Sequence, residues 1–203
     1  MVPKIEAHSI AEQRQMRQRQ LIDAAMSLAL EGGAPSVTVS AVAKRAGISR
    51  SLVYEYFSSS ADLISDLIME ELENYRIRLS NAVKGEKEPF HYLELWIEEA
   101  LHYIVDGRHM LVKSLNSIAI PDYRKSDISQ GHRALMATII GPLQEIGIVD
   151  LGVAVSYLQN SIDAASVRIE SGNDPALEVQ YVQKFVIAGL RALAEFKPLN
   201  PLS

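Results

Sequence analysis

The chain has 203 residues, 48% of them hydrophobic, enough apolar material for one large domain or a small and a medium one without covalent staples. It contains no cysteine, which excludes disulfides, thiolate metal sites and thiol nucleophiles and suits a reducing compartment. The net charge of −5 weighs against nucleic-acid binding only if it is spread evenly, and it is not: residues 1–60 hold seven Lys/Arg against five Asp/Glu, about +2, leaving about −7 for the remainder. No apolar run approaches membrane-spanning length, and the opening MVPKIEAHSIAEQRQ has no hydrophobic signal core. A soluble cytoplasmic protein with no membrane partner is the expectation.

Helical periodicity dominates the whole chain, with no sustained alternation and no hairpin turns. The pattern predicts a first helix over about Ala11–Leu30, burying Leu21, Ala24, Ala25 and Leu28 and stopped at Gly32-Gly33. Two short helices follow, over about 38–46 and 50–56. Ser59-Ser60-Ala61-Asp62 is a capping box for a long fourth helix reaching about Val83. Next come helices over Pro89–Val105, His109–Ile120 and Asp122–Ile140, with a break at Gly141-Pro142 and a short turn through Leu143–Ile146. Two long helices, about Asp150–Ser171 and Pro175–Phe196, close the chain.

The stretch Ser40–Ser59, SAVAKRAGISRSLVYEYFSS, carries the most information. Ala43 supplies the small side chain that lets two helices approach closely. Gly47 sits in the turn, where a positive φ is cheap only for glycine. Val42, Ala46, Ile48, Val53 and Tyr56 fall at the inward positions of two crossed helices, and Ser49 caps the second. That places Arg50 and Ser51 on an exposed helix N-terminus, the arrangement that enters a DNA major groove in a helix-turn-helix.

Thr38-Val39, Val42-Ala43, Ala46-Gly47-Ile48-Ser49 and Tyr54-Glu55-Tyr56-Phe57, led by LIDAAMSLALEGG over Leu21–Gly33, resemble the signature of the TetR-type (tetracycline-repressor-like) transcriptional regulators. The motif-level resemblance covers roughly residues 18–68. It implies a helix-turn-helix DNA-binding domain over 1–60, joined by the long fourth helix to a helical ligand-binding and dimerisation domain over 61–203, an all-α fold throughout. Arg50 is the candidate for base readout, because a guanidinium bonds guanine O6 and N7 together. Ser51 and Ser49 stand beside it. Tyr54 and Tyr56 resemble backbone-contacting positions of the family. Thr38 meets a phosphate through its helix N-terminus, and Lys44 and Arg45 flank the backbone or are simply solvated. Where the family has a lysine gripping a phosphate at the start of the fourth helix, this chain has Ser60, followed by Ala61; a serine keeps one neutral hydrogen bond and loses the charge. Arg14, Arg17 and Arg19 are available to offset that loss.

Trp96, Tyr103, Met110, Tyr123, Met136 and Tyr157 are the candidate lining of an effector pocket in the second domain; the competing assignment is plain core. His91, Glu94, Glu98 and His102 recur at intervals of three and four on one helix face, a geometry acceptable to zinc but equally that of a solvated face with helix-stabilising pairs. No metal and no cofactor is expected. No catalytic triad or phosphate loop occurs in a supporting context, so an enzyme is not expected either. In the last two helices, Gly152, Ala154, Ser161, Ala164, Ala165 and Ser166 lie among Leu158, Ile162 and Ile169, while Val182, Phe185, Val186, Gly189, Leu190 and Leu193 share one face. The resemblance implies that two chains join these helices into a four-helix bundle, giving a homodimer that binds a palindromic operator in double-stranded DNA and is released by a small-molecule effector. A protein-docking regulator of the same fold is the alternative.

Overall fold

The computed structural model describes residues 10–105 and 119–196. Among these, all regular structure is helical: α1 (Ile10–Gly32), a 3-10 turn (Ala34–Ser36), α2 (Val39–Ala46), α3 (Arg50–Tyr54), α4 (Ser60–Ala82), α5 (Pro89–Val105), α6 (Asp122–Ala137), α7 (Ile140–Glu145), α8 (Leu151–Glu170) and α9 (Pro175–Glu195). The all-α class read from the periodicity is the one that forms. The helix expected over His109–Ile120 falls outside the described residues up to 118, and Ala119 and Ile120 are not helical. Among the described residues, no helix is long and apolar enough to cross a membrane. The chain divides into two compact units, residues 10–71 with 119–128 and residues 72–105 with 129–196.

In the first unit α1 packs on α2, and α2 on α3. Leu21, Ala25, Val42 and Val53 are fully buried there with Phe57 and, from α4, Leu63, Ile64 and Leu67. Each leucine-sized side chain removed from water contributes about 1.5–3 kcal/mol. Ala43 is buried as the close approach requires. The end of α1 is sealed by Ser36, whose hydroxyl lies within hydrogen-bond distance of the Leu28 and Gly33 carbonyls. The start of α4 is a reciprocal cap: Ser59 Oγ accepts the Asp62 N–H at 3.1 Å, and the Asp62 carboxylate accepts the Ser58 N–H at 3.0 Å.

In the second unit α5 is the central helix, packed against α7, α8 and α9. Leu93, Trp96, Ile97, Ala100 and Leu101 are all buried along it, as a helix covered on several sides requires. The break expected at Gly141-Pro142 forms three residues earlier. α6 stops at Ala137, and Gly141 and Pro142 lie inside α7. Pro142 is the third residue of α7, in the first turn, where no N–H has an intrahelical acceptor and a proline therefore costs little. Thr138 fixes the joint: its hydroxyl accepts the Trp96 indole N–H at 3.0 Å and donates to the Leu135 carbonyl at 2.7 Å, and its carbonyl accepts the Tyr92 hydroxyl at 2.9 Å.

Asp150 caps α8 through the Val153 N–H, and Asp174 caps α9 through the Ala176 N–H ahead of Pro175. The apolar stripe of α9 divides in two. Val182, Val186 and Leu190 are buried, whereas Phe185 and Gly189, expected on the same face, point outward, Phe185 at 73% exposure. With Tyr157, Leu158, Ala164 and Leu193 they line an open apolar groove of about 630 Å³ between α8 and α9.

Candidate nucleic-acid interface

The turn between α2 and α3 is built from three local devices. Thr38 closes the start of α2, its hydroxyl accepting the Ala41 N–H at 3.1 Å. Gly47 ends α2 in the left-handed region, φ 69° and ψ 30°. There its N–H reaches the Lys44 carbonyl at 3.3 Å while the Ile48 N–H reaches that of Ala43 at 3.0 Å, the paired closure of a Schellman motif. Ser49 then opens α3 by accepting the Leu52 N–H at 3.2 Å, and its hydroxyl lies 2.9 Å from that of Ser51. The consequence is a short helix anchored inward by Val53 and showing Arg50, Ser51 and Tyr54 to solvent.

The other predicted contacts sort by what already holds them. Lys44 is exposed and, among the described residues, has no acidic partner. Arg45 is engaged on both sides of its guanidinium by Glu31, at 2.8 and 2.7 Å, and by Ser27 Oγ at 2.5 Å. That pair holds the Glu31 carboxyl below the ordinary carboxylate range and the arginine above its own ordinary value, in each case first through the hydrogen bonds they share. Ser60 accepts the Val39 N–H at 3.1 Å, tying the start of α4 to the start of α2. Arg19 stands 3.6 Å from Glu70, and Arg17 bonds Gln20, whose amide in turn donates to the Ala46 carbonyl at the end of α2. Tyr56 is half-buried, with the Arg14 guanidinium 5.2 Å from its ring centroid. Sequence spacing gave no sign of that contact, since the two residues stand 42 positions apart.

The described residues expected to line an effector pocket occur in both units. Trp96 and Tyr103 are buried in the second unit, Tyr103 stacked on Tyr75 with centroids 4.2 Å apart and the Arg78 guanidinium on its ring. Burial drives the Tyr75 hydroxyl strongly upward from its ordinary pKa, and nearby Glu99 and Asp163 add to the shift. Met136 is half-buried on α6, Tyr157 lies on the outer groove, and Met110 falls outside the described residues. Tyr123 belongs to the first unit, exposed, its hydroxyl 2.9 Å from Ser58 Oγ. Beside it Arg124 bridges Asp62, at 3.3 Å, and Asp66. Of the possible metal face, His91 pairs with Glu94 at 3.4 Å and with Glu86 at 3.6 Å. Among the described residues no three acidic or imidazole groups are placed to hold a metal ion.

Residues 21–67 match the sequence model of the family described as bacterial regulatory proteins, tetR family. Over 73 residues the chain is 30% identical to the fatty acid metabolism regulator protein of Bacillus subtilis, an alignment covering 36% of this chain and 38% of that protein. The fold is shared more widely. The fatty acid degradation regulator FadR of Bacillus halodurans superposes with a TM-score of 0.69 at 19% identity, covering 86% of this chain and 96% of that one. FadR of Bacillus subtilis, in complex with stearoyl-CoA, superposes at 0.69 with 22% identity, covering 84% and 98%. A TetR-like transcriptional regulator from Rhodococcus superposes at 0.65 with 19% identity over 94% and 98%. The helix-turn-helix closed by the caps at Thr38, Gly47 and Ser49 thus lies within a module, residues 21–67, that matches the tetR family, and the chain as a whole shares the all-helical fold of these solved regulators.

Proposed function

We propose that the protein is a repressor that binds a palindromic operator as a homodimer and is released by a small amphipathic effector. Residues 1–60 read the DNA, and residues 61–203 hold the effector and the second chain. The observation that carries this reading is the bare face of α3: Arg50, Ser51 and Tyr54 are exposed on a helix whose start and preceding turn are fixed by side-chain and backbone caps. A guanidinium there donates to both acceptors of a guanine edge, worth about 1–3 kcal/mol of discrimination against another base. The groove between α8 and α9, with Phe185 in the open, is the surface a second copy would cover. Two-fold pairing through it would set two α3 helices on successive major-groove turns.

Effector release is a population shift: a ligand preferring one arrangement of the two units moves the equilibrium only by its difference in affinity for the two states. The complex of Bacillus subtilis FadR with stearoyl-CoA makes a long-chain acyl thioester the effector class to try first. Trp96, Tyr103 and Met136 are the candidates for its apolar contacts. The test is selection from a random duplex library with purified protein at moderate salt. A palindromic consensus that Arg50→Ala loses, and that stearoyl-CoA releases, supports the proposal. A folded, dimeric protein that enriches no duplex overturns it in favour of a protein-docking regulator.

A further inference from the structure

We infer that Arg14, seated on the Tyr56 ring, is a direct DNA-phosphate contact of this chain; the inference rests on the DNA-binding reading above. The cations of the first unit differ in how much charge they have to offer. Arg45 and Arg19 face carboxylates, at 2.7 and 3.6 Å, so a phosphate approaching either must first displace an acidic group. Arg14, Arg17, Lys44 and Arg50 have no acidic partner among the described residues, Arg17 donating to the neutral Gln20 amide. Of these four, only Arg14 is held by an aromatic face, and a π-system orients a guanidinium without neutralising it. Arg14 therefore combines full charge with a fixed position, which is what a phosphate contact needs in order to set register rather than merely add attraction.

Its place on the fold is equally specific. Gln20 marks where α1 passes the end of α2, through its bond to the Ala46 carbonyl. Arg14 lies six residues earlier on the same helix, roughly 9 Å further along its axis at 1.5 Å per residue. It meets Tyr56 just beyond the C-terminal end of α3, two positions past the exposed Tyr54. Lys44 and Arg50 stand either side of the turn that leads into α3. Arg14 thus adds a third charge at the opposite end of α3, so that phosphates on both flanks of the helix find a cation. The charge missing at Ser60, whose hydroxyl is already engaged by the Val39 N–H, is supplied from α1 instead.

The experiment compares wild type, Arg14→Gln and Arg14→Lys on the selected operator duplex, titrated between about 50 and 200 mM salt, with phosphate-ethylation interference mapped for each. Circular dichroism confirms that the variants fold. Arg14→Gln is expected to lower the slope of log K against log salt by about 0.9 per chain, or about 1.8 for a two-chain complex, and to weaken binding evenly across base variants of the operator. One phosphate per half-site drops out of its interference pattern. Arg14→Lys keeps the slope. A slope and an interference pattern unchanged in Arg14→Gln overturn the inference while leaving operator binding intact. A wild type that binds no operator overturns the functional reading and takes the inference with it.

Discussion

Replacing Gly47 by alanine isolates how much the motif depends on one backbone conformation. A Cβ built at this position meets nothing within 4 Å, so the substitution creates no tertiary clash. What remains is the local cost of holding an L-residue at φ 69°, about 1–2 kcal/mol. Part of that is offset because alanine has less freedom to lose from the unfolded chain, about 0.4–1 kcal/mol. The net destabilisation should be near 1 kcal/mol, roughly a fivefold shift in the local opening equilibrium. Asparagine enters the left-handed region more readily than alanine, so Gly47→Asn should recover part of the loss. Native-state hydrogen exchange read at Ile48, whose N–H closes the turn on Ala43, measures the effect in the unit concerned and needs no two-state assumption for the whole chain. Gly47→Ala should exchange about fivefold faster at this amide and lose operator affinity in step. Unchanged exchange would mean that the turn does not depend on the left-handed geometry. A loss above about 4 kcal/mol would require a steric contact, and the position has none.

Two further outcomes follow from the second unit. Thr138→Val keeps the shape of the side chain but strips the acceptor from the buried Trp96 N–H; a destabilisation of about 1–3 kcal/mol in urea unfolding is expected, and Thr138→Ser should restore most of it. Phe185→Lys sets an ammonium into the α8–α9 groove and, on the proposed homodimer reading, should shift the sedimentation-velocity distribution from dimer to monomer relative to the wild type, with an unchanged helical spectrum. Dimers that persist in this variant would put the association surface elsewhere.

The helix-turn-helix was legible because its determinants are local. Thr38, Gly47 and Ser49 each act within a few residues, and their caps form as the residue types require. The end of α6 was misplaced by the same kind of reasoning, since Gly141-Pro142 reads as a breaker until it is known that a new helix begins at Ile140 and shelters the proline in its first turn. The finer allocation of side chains is a tertiary matter. Arg45 meets Glu31 only because of the angle at which α1 lies on α2, and no periodicity reports that angle. Tyr123 looks like any other aromatic in a helical run, yet it belongs with Ser58. The face of α9 is apolar over more width than its neighbours cover, so the pattern could not separate buried Val182 from exposed Phe185.

The Trp96–Thr138 bond also makes the protein its own optical probe. Trp96 is the single tryptophan of the chain. It is 1% exposed, with its indole N–H committed at the α6–α7 joint. Its emission should be blue-shifted and nearly immune to acrylamide, and it reports from the second unit alone. Titration with DNA and titration with an effector can therefore be followed in the same cuvette without a label: a shift in tryptophan emission on adding operator would be a signal that had travelled from one unit to the other.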